Sequence, residues 1–223
     1  VGPLARYVQD LALILPLITG PDGADPLVVP VPLRDPAENR MGGLRVALYT
    51  DDGIRTPEPA IVDATIRAAM TLRARGATVE EAAPPGIEES LDLLANLLRG
   101  WDGGARMRRL LAQAGTSPES TSLQAYVTAQ PKSTGYLDDL IDRWDRFRMR
   151  MLAFFQPYDL LIAPVNAYPA IVHGSLGETY PGFSYTMAYN LTGWPAAVVR
   201  VGETPDGLPL GVQLIAHPWR EDI

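Results

Sequence analysis

Apolar residues at Leu4, Val8, Leu11, Ala12, Ile14, Leu15 and Ile18 recur at helical spacing, and Gly20-Pro21 stops the pattern. The spacing predicts a helix over 4–19. Residues 21–43 lose the periodicity, and the run of prolines and acids over 22–39 reads as an extended surface linker. A short β-type run follows at 44–49 (LRVALY), and Asp51-Asp52-Gly53 turns the chain. Thr56-Pro57 then predicts a helix start, with threonine as cap and proline in the first turn. Ile61, Thr65, Ile66, Ala69, Met70 and Leu72 supply one buried face, and Gly76 ends it. A second strand is expected at 78–81. Strand, helix and strand with short joints make a right-handed βαβ unit and so a parallel pair.

The next seventy residues change period. A helical lobe is expected over 87–157, with helices near 87–99, 104–114, 119–129 and 134–156. The last carries Tyr136, Leu140, Trp144, Phe147, Met151, Phe154 and Phe155 on one side and Arg and Asp on the other. Such a stripe is read as core rather than as a ligand pocket. The run DLLIAP at 159–164 has strand length and no polar alternation, which suits a strand buried on both faces. Two further strands are expected at 196–202 and 208–216. Thr204-Pro205-Asp206-Gly207 between them has hairpin-turn chemistry. The fold class expected is α/β, a mixed sheet covered by helices in an α/β/α sandwich, with the helical lobe inserted.

Composition narrows the chemistry. With 47% hydrophobic residues in 223, the chain can bury a full core. Cysteine is absent, which removes disulfides, thiolate metal sites and cysteine nucleophiles; two histidines, His173 and His217, do not make a histidine-rich metal site. A net charge of −7 argues against a nucleic-acid partner. The longest apolar run, 11–18, is broken by Pro16 and is too short to span a bilayer. The chain opens at Val1-Gly2-Pro3 without a secretory signal pattern, so a cytoplasmic setting is expected. Both ends read as interrupted phrases, so the chain is expected to be a piece of a longer protein.

The sequence contains no G-x-S-x-G nucleophile elbow. His173-Gly174-Ser175-Leu176-Gly177 is the nearest phrase, and Ser175, Asp206 and His217 follow the order nucleophile, acid, base. Against this hydrolase reading, Asp206 is accounted for by the hairpin turn. No phosphate-cradling glycine motif occurs. Asp51-Asp52 at a strand end could hold magnesium, but acid pairs there are commonly turn formers. Asn190-Leu191-Thr192 is a formal glycosylation sequon, read as an Asn that closes a turn with its own side chain.

Several phrases together carry a resemblance. VGPLARYVQDLA at 1–12, the βαβ segment 44–79 with its Arg75-Gly76-Ala77-Thr78-Val79 ending, and YDLLIAPV at 158–165 are three of them. The others are YTMAYNLTGWPAA at 185–197 and DGLPLGVQLIA at 206–216. In this order they resemble the amidase signature family, with Val165 where the family has threonine. The resemblance implies hydrolysis of a carboxylic amide by a Ser–cis-Ser–Lys triad, without metal or organic cofactor. It places that triad in a Gly/Ser-rich segment that precedes the phrase at residue 1. The chain then is the C-terminal part of one amidase domain, spanning 1–223. Lys132, the only lysine, is no substitute, and no catalytic residue is carried over.

The same resemblance makes 183–194 a substrate-facing segment leading into a central strand. The expected substrate-binding residues are Phe183, Tyr185, Thr186 and Met187, with Trp101 and Tyr126 of the helical lobe as secondary candidates. Glutamine-hydrolysing members carry an acid about seven residues before the asparagine, to hold an ammonium. Here Phe183 stands at that position, so an aryl or alkyl amide is expected over glutamine. The expected partners are a small-molecule amide, the N-terminal part of the same polypeptide and a second copy in a homodimer, with neither nucleic acid nor membrane. A catalytically dead homologue acting only as a binding module stays open as the alternative.

Overall fold

The computed structural model describes residues 2–98, 101–117, 124 and 126–223. In chain order its elements are α1 (Val8–Ile18), β1 (Arg45–Leu48), α2 (Pro59–Ala74), β2 (Thr78–Glu81), α3 (Glu89–Leu98), α4 (Ala105–Ala114) and α5 (Thr134–Phe155). They continue with β3 (Leu160–Pro164), the short α6 (Leu176–Thr179), a 3₁₀ turn at Tyr180–Phe183, α7 (Ser184–Thr192), β4 (Ala196–Glu203) and β5 (Pro209–Ala216). The helix expected at 119–129 lies largely outside the described residues. Among the described residues no helix is long and apolar enough to cross a membrane.

The strands form one mixed sheet in the order β2-β1-β3-β5-β4. β1 is parallel to both β2 and β3, whereas β5 is antiparallel to β3 and β4. The βαβ unit gives the parallel β1–β2 pair, and β3 lies parallel on the other side of β1. The hairpin gives the antiparallel half: Thr204 N–H donates to Leu208 O at 2.8 Å across the turn, and Gly207 takes φ +83°.

β3 is buried along its whole length because both faces of the sheet are covered. On one face Leu160 and Ile162 join Val46, Val212 and Ala69 of α2. On the other, Leu161 and Ala163 join Ala47, Ile215 and residues from α3, α5 and α7. The period-2 alternation of strand side chains divides the same strand between two cores. α5 contributes Leu140, Phe147, Met151 and Phe155, all buried and spaced along one helix face. Its start is fixed by Ser133, whose side chain accepts from Tyr136 N–H at 3.1 Å. The Met/aromatic stripe is core, as the spacing predicts; Trp144 at its margin donates from Nε1 to Leu191 O at 2.8 Å.

Three local expectations are corrected. α2 starts two residues later than Thr56-Pro57 suggests, with Pro59 in the first turn and Glu58 extended at ψ 145°. A residue before proline is pushed out of the helical region, so the helix cannot pass through Glu58. Thr56 instead donates its hydroxyl to Asp51 Oδ2 at 2.8 Å. The strand after Trp194 is not central in this sheet: β4 takes the end position and is exposed over most of its length, because β5 alone lies beside it. Asn190 does not close a turn. It lies in α7 with its side chain exposed, and Gly193 at φ +71° ends the helix, donating N–H to Tyr189 O at 2.9 Å.

Candidate active-site cavity

A cavity of about 400 Å³ opens beyond the carboxyl end of β3. Its floor and sides come from Asn166, Tyr168 and Ile171 after the strand, Phe183, Val198 of β4 and Leu210 of β5. The crevice outside the carboxyl ends of parallel strands is where open α/β sheets commonly bind ligands. Among the described residues that line it, only Asn166 and Tyr168 have polar side chains, so the lining is suited to shaping and binding a mostly apolar group. A second, polar cleft of about 420 Å³ adjoins it, lined by Arg55, Thr56, Glu58 and the other side of Tyr168. The Arg55 guanidinium lies 5.4 Å from the centre of the Tyr168 ring.

Close backbone approach holds the cavity walls. Glu58 N–H donates to Ala167 O at 2.9 Å, and Ala167 N–H donates to Gly182 O at 3.0 Å. Gly182 is required by space: a Cβ there would lie 2.5 Å from Tyr168 Cε2 and 2.9 Å from Asn166 Oδ1. Gln213 of β5, fully buried, donates from Nε2 to Pro164 O and to Tyr185 O, each at 2.7 Å. One amide thus joins the end of β3 to α7 and satisfies two buried carbonyls.

α7 is buried over most of its surface, with Ser184, Tyr185, Met187, Ala188, Tyr189 and Leu191 all removed from solvent. Of the residues expected to face substrate, Phe183 lines the cavity. Met187, one turn on, is buried. Thr186 is half-buried and donates its hydroxyl to Phe183 O at 3.1 Å. Tyr185 is fully buried, its ring stacked 6.4 Å from Tyr49 and its hydroxyl donating to Arg55 O at 2.8 Å. Burial first, and the charge of Asp52 second, push the Tyr185 phenol upward, which keeps it a donor. Burial raises Tyr49 and Tyr189 as well; their hydroxyls meet at 2.9 Å. Trp101 is partly exposed and its carbonyl accepts from Lys132 N–H at 2.8 Å; Tyr126 is half-buried. Neither lines the cavity.

The alternative serine set is not assembled. Ser175 donates its hydroxyl to Val172 O at 2.7 Å in its own turn, ahead of the one-turn helix α6, and no strand leads into it. His217 stacks on Phe155, with ring centres 4.2 Å apart, and its Nε2 lies 2.8 Å from Tyr158 O. A carbonyl only accepts, so Nε2 carries the proton and has no lone pair to take a serine proton. Asp51 and Asp52 are turn formers: Asp51 accepts from Gly53 N–H, and Asp52 from Ile54 and Arg55 N–H.

Sequence reasoning missed Asn166, Tyr168, Gly182 and Gln213. Position could have pointed to the first two, since they follow a strand buried on both faces. The phrase around Gln213 carries the family resemblance, but its role needs the fold.

The amidase family model matches residues 1–223. The chain belongs to the amidase signature family. It is 29% identical to a subunit of the glutamyl-tRNA(Gln) amidotransferase of Thermus thermophilus, over all of this chain and 52% of that protein. It is 27% identical to fatty-acid amide hydrolase 1 of Sus scrofa, over all of this chain and 48% of that protein. Its fold matches a solved fatty acid amide hydrolase with a TM-score of 0.80 at 21% identity, over 99% of this chain and 45% of that one. The chain spans about half the length of the curated relatives it matches. These amidase-family matches agree with the mixed α/β sheet described above.

Proposed function

We propose that the chain is the scaffold and substrate-facing part of an amidohydrolase that cleaves a carboxylic amide to an acid and ammonia or an amine. In this reading the Ser–cis-Ser–Lys triad belongs to polypeptide preceding residue 1. The serine hydroxyl attacks the amide carbonyl, the lysine accepts its proton through the bridging serine, and the departing nitrogen receives a proton. Water then hydrolyses the acyl-enzyme. The exposed edge of β4 and the uncovered α1 are where the preceding part docks. Val198, 55% exposed on β4, borders the cavity, so the reactive groups arrive from that flank.

The substrate is an aryl or alkyl amide, and the observation that carries this is Phe183. It stands where an ammonium-holding acid would be needed for glutamine, and it borders a mostly apolar cavity whose polar side chains, Asn166 and Tyr168, carry no acid. An aromatic ring beside Ile171 and Leu210 favours an apolar acyl group and leaves an ammonium without a counter-charge. Thr186, Met187 and Tyr185 support Phe183 from the same segment. Relatives at similar identity include part of an amidotransferase as well as an amide hydrolase, so overall likeness does not choose between them. A cytoplasmic setting and a homodimer complete the proposal.

The test is steady-state kinetics of the protein expressed from its whole natural reading frame, on an acyl anilide and on glutamine. A kcat/KM at least about a hundredfold higher for the anilide is expected from an apolar pocket that cannot pair an ammonium. Faster turnover of glutamine refutes the substrate assignment.

A further inference from the structure

The turn after β1 and the substrate-facing segment are 132 residues apart in sequence and share a buried carboxylate. Asp52 is 2% exposed, yet its three donors are all neutral: Ile54 N–H at 2.9 Å, Arg55 N–H at 3.3 Å and the Ser184 hydroxyl. A carboxylate removed from water is retained only where its hydrogen bonds are made, and such charge-assisted bonds are strong and directional. Ser184 directly follows Phe183, the aromatic border of the cavity. The same turn reaches α7 a second time, since Asp52 N–H donates to the Tyr185 hydroxyl at 3.3 Å and Tyr185 donates to Arg55 O. It also reaches the opposite wall, through Arg55 over Tyr168 and Glu58 N–H on Ala167 O.

We infer that Asp52, acting through Ser184, is a positioning residue that holds Phe183 against the cavity and so sets how large an acyl group the enzyme accepts. Neither residue lines the cavity itself. Loop 51–58 ties both walls of one cavity, so its geometry fixes the gap between Phe183 and Tyr168. Plain turn formation needs only the Asp52 contacts to Ile54 and Arg55, whereas the bond to Ser184 reaches outside the turn. Gln213 holds the far side of Tyr185, so loss of the Asp52 bond frees the start of α7 rather than the whole helix.

This inference rests on the proposed amide hydrolysis, so two readouts are needed on the protein from its whole natural reading frame. The variants are Asp52→Asn and Ser184→Ala; the second keeps the turn intact if the first fails to fold. On a series of acyl anilides from acetyl to hexanoyl, kcat/KM is expected to fall about tenfold for hexanoyl, mainly through KM, and no more than about threefold for acetyl. Hydrogen exchange is expected to rise at 182–188 and to stay as in wild type within β3 and β5. A parallel fall for every acyl length, or exchange raised throughout the chain, overturns the inference and leaves simple destabilisation. Raised exchange at 182–188 with an unchanged acyl-length profile overturns it too. A wild type inactive on every amide, with exchange raised at 182–188 in the variants, defeats the amide reading while supporting the positioning role.

Discussion

β3 and β4 are both apolar strands of the same sheet, but their surroundings are opposite. Every residue of β3 is buried, between α2 on one face and α3, α5 and α7 on the other. β4 has no buried residue, and Val198 on it is 55% exposed. α1 shares that condition: its Leu13 is 70% exposed and Leu17 80%, and none of its residues is buried. A helix apolar all round is expected inside a protein. Apolar content therefore marks what is to be covered, while neighbours decide what is covered. On the proposed function, the flank of β4 and α1 belongs to an interior completed by the preceding part of the domain.

The sharpest way to break that contrast is to study residues 1–223 alone. With an open strand edge and an uncovered apolar helix, the isolated chain is expected to aggregate and to cleave amides no faster than background. The protein from its whole natural reading frame is expected to be active, by on the order of a millionfold or more over the uncatalysed rate. A sharp thermal transition with monodisperse behaviour in light scattering contradicts the open-flank reading.

Paired substitutions in the intact protein sharpen it. Leu161→Ala, at the fully buried centre, is expected to cost roughly 2–5 kcal/mol in chemical denaturation. Leu13→Asp on α1 is expected to cost at least about 2 kcal/mol, because a charge would be placed at a covered site. A cost within about 0.5 kcal/mol, as for an ordinary surface position, means the flank stays open.

A smaller effect lies where the linker meets the end of the chain. Asn39 donates from Nδ2 to Asp222 Oδ2 at 2.9 Å, and Arg220 donates twice to the Asp222 carboxylate. The Arg220 hydrogen bonds first, and Asn39 after them, hold the Asp222 carboxyl down at about 2. A carboxyl depressed in the folded state stabilises above its unfolded value, near 4, and loses that contribution as pH falls toward 2. Asp222→Asn is therefore expected to cost about 1–2 kcal/mol at pH 7 and little at pH 2. Equal costs at the two pH values, from denaturation midpoints, refute the electrostatic origin.

Much of the fold was legible because its signals are local. DLLIAP reads as a doubly covered strand from its length and lack of alternation, and the Thr204–Gly207 turn follows from proline and glycine chemistry. The α5 stripe places Leu140, Phe147 and Met151 on one face by spacing alone. The start of α2 is ambiguous in the sequence because Thr56-Pro57 and Glu58-Pro59 offer the same local signal; each proline keeps the residue before it out of the helical region, so only the later pair can open an uninterrupted helix. α7 gave little helical signal because its tyrosines and threonines do not favour helix intrinsically; burial on nearly all sides decides it. In the site, Phe183 was legible through the family phrase. Asp52 with Ser184, and Gln213 with Pro164 and Tyr185, were not, because contacts across many residues leave no periodic trace.

On the proposed function, this chain frames an acyl-transfer site whose attacking hydroxyl lies outside residues 1–223. The decisive experiment treats the protein from its whole natural reading frame with a serine-directed fluorophosphonate and locates the adduct by peptide mass spectrometry. One stoichiometric adduct is expected, on a serine preceding residue 1, with amide hydrolysis lost in proportion. An inactivating adduct on Ser175, or on any other serine within residues 1–223, contradicts it.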